Sequence, residues 1–236
     1  MKGLKKTTIQ YNKKWHNLTE DTRCHLDPDI NSGVIKRKLG WKGLFGQIDN
    51  AQSHLEKKKV KEGDLFLFFG WFKQTVIVNE NITFDSSAPD LHIIFGYLQI
   101  DKKVEVNSGT NVCEWMDYHP HANEERRENP KNTIYVAKDR LTLNNGIPGF
   151  GIFKFNGKPL EEYGLVLTKE NCSRSKWNLP SFFKDEHVKI SYHSQNSWRG
   201  GYFQSANGRG RQEFVVEENH RVEEWAKKLI EKNIID

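Results

Sequence analysis

The sequence lacks the features that mark membrane proteins and secreted proteins. No apolar run approaches the ~20 residues needed to cross a bilayer, and no apolar segment follows the basic start MKGLKK, as it would in a secretory signal. The three cysteines (Cys24, Cys113 and Cys172) are far apart and form no CxxC pair, which is typical of free thiols in a reducing compartment. We therefore expect a cytoplasmic protein without a membrane partner.

Motifs of the common catalytic and nucleotide-binding sites are also missing. The chain has no G-x-G-x-x-G fingerprint, no Walker loop, no G-x-S-x-G elbow and no internal repeat. Ser191 and His193 are neighbours in sequence, but this does not place a nucleophile against a base, so covalent catalysis is not favoured. The net charge of +5 permits contact with a polyanion without demanding it.

The sequence is instead rich in aromatic residues within apolar runs. The segment GDLFLFFGWF, residues 63–72, predicts a central strand buried on both faces, and HIIFGYLQI, residues 92–100, predicts a second strand. Gly70 and Gly96 each lie between large aromatic residues, where a glycine allows a bulge or a close approach. Two such strands predict a small, curved sheet, in which Trp71 either packs in the core or lines a pocket.

The order of the elements indicates the fold class. Strands follow one another directly, which favours antiparallel pairing over a doubly wound parallel sheet. Helices are predicted within residues 47–59, within 114–129 and after Asn219, an N-cap residue that precedes an apolar stripe. Residues 187–194 alternate like a half-buried strand. We predict an α+β fold: a small, strongly curved, mixed or mostly antiparallel β-barrel with flanking helices, in one domain spanning residues 1–236.

Two short segments combine imidazoles with carboxylates. One contains His25, Asp27 and Asp29, and the other contains His119 and His121, about ninety residues further on. Neutral imidazoles and carboxylates are ligands that a divalent transition metal prefers. The spacing matches no standard site, however, and Asp27 or Asp29 could instead stabilise a turn. These five residues are the candidate metal ligands, and no other cofactor is expected.

A set of short motifs occurs in order from about residue 22 to 232. The motifs are HLDPDI, Gly40-Trp41, FGQ, AQSHL, GDLFLFFGWF, HIIFGYLQI, HPH, IYVA, Pro148-Gly149, Trp177 with Leu179-Pro180, SYHS and RQEFVV. Together they resemble the third of the nucleotide modification associated domain families. The resemblance implies a component of a bacterial or phage system that modifies DNA bases, with the other components of that system as partners. Such domains begin with an additional N-terminal strand and loop, which we expect this chain to lack.

A weaker similarity concerns the architecture alone. A Gly-Asp turn, an aromatic strand and a second strand with a central glycine also resemble PUA-like domains of the EVE and ASCH type. In those domains, residues at the positions of Gly63-Asp64, Phe68–Trp71 and Phe95–Leu98 form a small barrel that holds a modified base. This similarity implies the PUA-like form of the predicted barrel, although a fold does not by itself give a function.

The function predicted from these features is binding of DNA or a modified nucleotide, with a modified or flipped base in an aromatic-lined pocket. Aromatic side chains would stack on the base, histidines would contact its edge or a phosphate, and arginines would contact the backbone. One alternative is a transferase or hydrolase that uses the candidate metal ligands, and another is an interaction subunit without a small-molecule site. The predicted nucleotide-binding residues are Trp71, Phe72, Tyr97, His119, His121, Arg209 and Arg211.

Overall fold

A computed structural model describes residues 8–11, 14–17, 19, 22, 25–78, 81–206 and 213–234. It confirms the α+β prediction, with antiparallel sheets and few helices. The strands are β1 (Thr8–Tyr11), β2 (Lys14–Asn17), β3 (Leu44–Gln47), β4 (Leu65–Phe72), β5 (Thr75–Val78), β6 (Asn81–Phe84), β7 (Leu91–Glu105), β8 (Thr133–Ala137), β9 (Phe150–Ile152), β10 (Lys176–Trp177), β11 (Trp198–Arg199) and β12 (Tyr202–Gln204), and the α-helices are α1 (Asp49–Lys57), α2 (Glu124–Arg127) and α3 (His220–Asn233).

The main sheet has the order β3-β8-β7-β4, with β9 also paired to β7. The first part of β7 pairs with β4 and β9, and its second part pairs with β8. The register shifts between Phe68 and Phe69 of β4 and between Ile100 and Lys102 of β7. Because such irregularities bend and twist a strand, the sheet curls strongly into a half-barrel.

The prediction that residues 63–72 form a central strand is wrong. Among the described strands β4 pairs with β7 alone, so it lies at an edge of the sheet, and β7 is the strand with neighbours on both sides. The apolar run reflects side chains packed on both faces of this edge. Phe68 packs against Phe45, whereas Phe69 packs against Trp177 and Phe214.

The predicted role of strand glycines applies to Gly96 more than to Gly70. A Cβ atom at Gly96 would lie 2.4 Å from Ile30 Cδ1 and 2.7 Å from the Gly151 carbonyl oxygen, so only glycine permits β9 to approach here. A Cβ atom at Gly70 would lie 3.3 Å from the ring of Phe72, which is a tight but side-chain contact.

Helix α3 confirms the helix that the sequence predicted after Asn219. The Asn219 side chain accepts hydrogen bonds from the N–H groups of Arg221 and Val222, and the apolar face of α3 packs into the largest core cluster.

Residues 187–194 do not form the predicted strand and make only an isolated bridge between Ile190 and Val216. None of the described helices has the length and apolar character to cross a membrane.

Candidate functional site

The two histidine-containing segments, which the sequence could not place relative to each other, meet around Asp27. Its carboxylate oxygens lie 3.3 Å from His121 Nε2 and 3.6 Å from both His119 Nε2 and His25 Nε2. The segment that carries Asp27 is held beside β3, because the backbones of Asp29 and Leu44 exchange hydrogen bonds of 2.8 and 2.9 Å. Pro120–Ala122 form a short 3-10 turn that contacts β3 from the other segment.

Gly46 of β3 makes this convergence sterically feasible. Its N–H group donates a hydrogen bond of 2.9 Å to Asp27 Oδ1. A Cβ atom at this position would lie 2.2 Å from Cδ2 of His121, within the space that the imidazole occupies. A glycine is therefore required at position 46 for Asp27 and His121 to approach each other.

Asp27 is held as a carboxylate despite being mostly buried. Burial by itself raises the pKa of an acid, but interactions with neighbouring groups, among them His119 and the Gly46 N–H group, outweigh that effect and hold the pKa of Asp27 well below its usual range. The site therefore contains a negative charge with little access to water, in a position where a cation would be favourable.

The hydrogen bonds of His121 assign a role to each ring nitrogen. The Asn132 amide nitrogen donates to the carbonyl oxygens of Val106 and His121, so its Oδ1 accepts from His121 Nδ1 at 2.7 Å. Arg126 Nη1 lies 2.9 Å from His121 Nε2, and a guanidinium can only donate. The lone pair of a neutral His121 is therefore on Nε2, the nitrogen that faces Asp27.

His119 has the opposite assignment. Its Nδ1 accepts a hydrogen bond of 3.3 Å from the His121 N–H group, so Nε2 carries the proton in the neutral ring. This Nε2 is fully buried and has no hydrogen-bond partner within 3.5 Å among the described residues. It points at Asp27 from 3.6 Å. His119 is thus placed to orient the carboxylate and is not placed to donate a lone pair.

Three of the five candidate ligands form a group that could hold a metal ion. One ligand atom each from His25, Asp27 and His121 lies within 4.8 Å of the others. Two imidazoles and one carboxylate are a donor set of catalytic zinc sites and of non-haem iron sites, which keep further positions open. The side chain of His25 is 48% exposed, whereas that of Asp27 is 7% exposed, so the group is approached from the His25 side.

Asp29, the fifth candidate, does not belong to this group. The Arg37 guanidinium donates to both of its carboxylate oxygens at 2.5 and 2.6 Å, and the Tyr118 hydroxyl donates to it as well. The Trp41 indole N–H donates to the Tyr118 hydroxyl at 2.8 Å, and the Arg37 guanidinium lies over the Trp41 ring. Asp29 therefore anchors the loop of residues 31–42.

The aromatic residues predicted to stack on a base lie elsewhere. The Trp71 ring is stacked near Phe84, the Arg174 guanidinium lies 4.8 Å from its centre, and its N–H group donates to Asp90 at 2.7 Å. Trp71 and Phe72 are exposed, and Trp71 adjoins a pocket of about 420 Å³. The pocket is lined by Pro89, Asp90, Cys172, Ser173, Arg174 and Ser175.

The predicted nucleotide-binding residues do not form one site. Trp71 pairs with His92 at the start of β7, whereas Gly46 is connected through β8 to Val104, twelve positions further along. This separation corresponds to about 40 Å of strand path. Tyr97 is buried beside Phe153 and its hydroxyl donates to the Pro148 carbonyl, so its ring is not accessible to a nucleotide in this conformation. Arg209 and Arg211 lie outside the described residues.

Ser191, which the sequence analysis considered as a nucleophile, contacts His54 rather than acting with His193. Its hydroxyl lies 3.0 Å from His54 Nε2 and accepts a hydrogen bond of 2.8 Å from the Val215 N–H group. The side chain is buried, so the contact links α1 to the segment of residues 213–216.

Sequence analysis missed several residues that complete the site. Arg126 and Asn132 contact His121, Gly46 contacts Asp27, and Arg37 and Tyr118 hold Asp29. Only Gly46 carried a signal, since a glycine inside an apolar strand marks a close approach. The others are ordinary polar residues in the sequence and acquire a role through non-local strand pairing.

Comparison with known proteins identifies a family. The family model described as nucleotide modification associated domain 3 matches residues 2–217, which include every member of the His25, Asp27, His119 and His121 cluster. No curated protein sequence and no solved structure matches the chain. A match over this length shows that the chain belongs to the nucleotide modification associated domain 3 family.

Proposed function

We propose that this protein is an enzyme of a nucleotide modification system that acts on a nucleotide or a DNA base at a divalent metal held by His25, Asp27 and His121. The family provides the context of nucleotide modification. The observation that carries the proposal is the convergence of one ligand atom each from His25, Asp27 and His121, which lie within 4.8 Å of one another around a mostly buried carboxylate. A cation bound between these atoms would compensate the buried negative charge.

The chain's residues fit such a centre. His119 and Gly46 fix the orientation of the Asp27 carboxylate, and Asn132 fixes the ring of His121, as outer partners of metal ligands generally do. His25 lies on the exposed side, where substrate would enter. A bound divalent ion would supply Lewis-acid activation of a phosphoryl or carbonyl oxygen, or of a water molecule. This chemistry suits a transferase or a hydrolase.

Metal analysis tests the proposal directly. Purified protein should contain or take up about one divalent ion per chain, in a series that includes Zn²⁺, Mn²⁺, Co²⁺ and, without oxygen, Fe²⁺. His121→Ala and Asp27→Asn should lose it. His187→Ala is the matched control, because the His187 side chain is 81% exposed and is not a member of the candidate ligand group.

The reaction is followed by mass spectrometry of nucleoside monophosphates and short DNA after incubation with the metal-loaded protein. A mass change that disappears in His121→Ala supports an enzyme. The metal centre would be overturned if His121→Ala keeps full metal occupancy. It would also be overturned if folded wild-type protein binds none of the metal ions in the series.

A second candidate function is base binding at the exposed aromatic residues. We propose it because Trp71 is 56% exposed beside the pocket that Arg174 lines. A base could stack on the indole while the guanidinium contacts a phosphate. Binding of DNA with plain and modified bases is measured for wild-type protein, Trp71→Ala and, as an exposed aliphatic control on neighbouring β5, Ile77→Ala. Unchanged affinity in Trp71→Ala rejects this candidate.

If the folded wild-type protein binds neither a metal nor DNA, an interaction subunit is favoured. Its partners would be other components of the modification system.

A further inference from the structure

The contact between Arg126 and His121 has a chemical consequence for the proposed metal centre. Arg126 Nη1 donates to His121 Nε2 at 2.9 Å, and this nitrogen has a single lone pair. The same lone pair would bind the metal. The hydrogen bond from Arg126 and a metal–nitrogen bond are therefore mutually exclusive.

The position of Arg126 is set by a short, well-defined element. Arg126 lies on the single turn of α2, and its N–H group donates to the Asn123 side chain that caps this turn. The guanidinium is partly exposed, and no carboxylate of the described residues lies within ion-pairing distance of it. The Arg126 guanidinium can thus turn away from His121 without breaking a salt bridge within the described part of the chain.

Arg127 is different although it is the next residue. Its guanidinium donates to the Ala122 carbonyl at 2.7 Å and to the Thr110 carbonyl at 2.8 Å, so it fastens the turn to the preceding loop. It has no contact with His121 or Asp27 in the described structure. Arg126 therefore contacts the site, whereas Arg127 stabilises the packing of the turn.

We propose that Arg126 is a latch on the centre: it occupies the metal-binding nitrogen of His121, is displaced when the metal binds, and then binds a phosphate group of the substrate. This inference rests on the proposed function. Repulsion between the guanidinium and a divalent ion moves the side chain outward. An arginine at the rim of a metal site is well suited to a phosphate, because its fork of donors binds two phosphate oxygens at once.

The latch is tested with the metal alone. Co²⁺ and Zn²⁺ affinities are measured by absorption and calorimetry for chelator-treated wild-type protein, Arg126→Met and Arg127→Met. We expect Arg126→Met to bind at least about tenfold more tightly, the scale of outer-partner effects on metal sites. Arg127→Met should match the wild type, since it removes the same charge without freeing His121. Melting curves check that each variant is folded.

The phosphate role is tested on the metal-loaded proteins with thymidine 5′-monophosphate and thymidine as probes. Wild-type protein should prefer the monophosphate, and Arg126→Met should lose about tenfold or more of that preference, as expected for a charge-assisted bidentate contact. An equal preference in the two proteins would overturn the phosphate role.

Failure of the inference and failure of the proposed function are distinguishable. Metal affinities that are equal in wild-type protein and Arg126→Met, or raised equally in both arginine variants, reject the latch while the centre stands. If no folded variant binds a metal, the centre itself is rejected, and the latch with it.

Discussion

Asp27 and Asp29 are two residues apart, yet their carboxylates have opposite surroundings. Asp29 is fully buried and is paired with a fixed cation, the Arg37 guanidinium. Asp27 is nearly as buried, but its described partners are imidazoles and a backbone N–H group. A buried charge needs compensation. The chain supplies the compensating charge for Asp29, whereas for Asp27 we infer that a bound cation supplies it.

The Asp29–Arg37 pair leads to a prediction about stability. Arg37→Met leaves a buried carboxylate without its cation, so the free energy of unfolding should fall by about 3–5 kcal/mol. Urea denaturation measures the change. Asp117→Asn is the control, because the ion pair of Asp117 with Lys38 is exposed on both sides and should contribute less than about 1 kcal/mol. Similar losses in the two variants would contradict the assignment of Asp29 as an anchor.

Among the elements, β7 determines the geometry of the main sheet. It pairs with β4, β8 and β9, and Gly96 leaves room for β9, since a Cβ atom there would lie 2.7 Å from the Gly151 carbonyl oxygen. The aromatic–glycine–aromatic pattern was visible in the sequence of both β4 and β7. The pattern alone could not distinguish an edge strand from a central strand, because the half-buried edge strand β4 carries the same kind of apolar run as the largely buried β7.

A pair of alanine substitutions tests this distinction. Gly96→Ala places a methyl group against the backbone oxygen of Gly151, and we expect a loss of about 1–3 kcal/mol or more in unfolding free energy. Gly70→Ala meets side-chain rings rather than backbone, Phe72 at 3.3 Å and Phe95 at 3.5 Å, and should cost clearly less. Chemical denaturation of both variants measures the difference. A larger loss in Gly70→Ala would mean that the bend of the sheet depends on β4 instead.

His92 connects β7 to β10 and makes stability depend on pH. Its Nδ1 accepts a hydrogen bond of 3.0 Å from the Trp177 indole. Burial, aided by the positive charge of Arg174, lowers the pKa of His92 from 6.5 to about 4. Between about pH 6.5 and about pH 4, the unfolded chain therefore binds a proton at this histidine and the folded chain does not. The contribution of neutral His92 to stability is fully present above the unfolded pKa and is lost as the pH falls through this window.

The expected result is a melting temperature that decreases between about pH 7 and about pH 4.5, and that decreases less in His92→Asn. An asparagine oxygen can accept the same indole hydrogen bond and does not titrate. His187→Asn should behave as the wild type, since this histidine is exposed. Parallel pH dependences of wild-type protein and His92→Asn would rule out His92 as the source.

At the scale of the whole molecule, Trp71 and the Asp27 cluster lie toward opposite ends of β7. No hydrogen bond, ion pair or ring contact joins the two groups among the described side chains. The free-energy changes caused by substitutions at distant, independent sites are usually additive. Trp71→Ala should therefore leave metal affinity within about twofold of the wild-type value, and the free-energy changes of Trp71→Ala and His121→Ala should sum in the double variant within about 0.5 kcal/mol. A larger coupling in calorimetry or denaturation would connect the two regions.

The fold was predictable to the extent that its signals are local. The apolar stripe and Asn219 predicted α3, and the apolar run of residues 92–100 predicted most of β7. The site was predictable only as residue types. Asp27 and His121 are brought together by the pairing of β3 with β8, which joins segments about ninety residues apart. No periodicity in either segment encodes that pairing.

Gly46 allows related sequences to be compared at one position. Since any side chain at its position would displace the imidazole of His121, a chain that keeps this histidine in place needs a glycine here. A related sequence that keeps both histidine segments but has a larger residue aligned with Gly46 has lost the cluster geometry. A larger residue at this position thus marks family members that cannot form the cluster of Asp27 and His121 seen here.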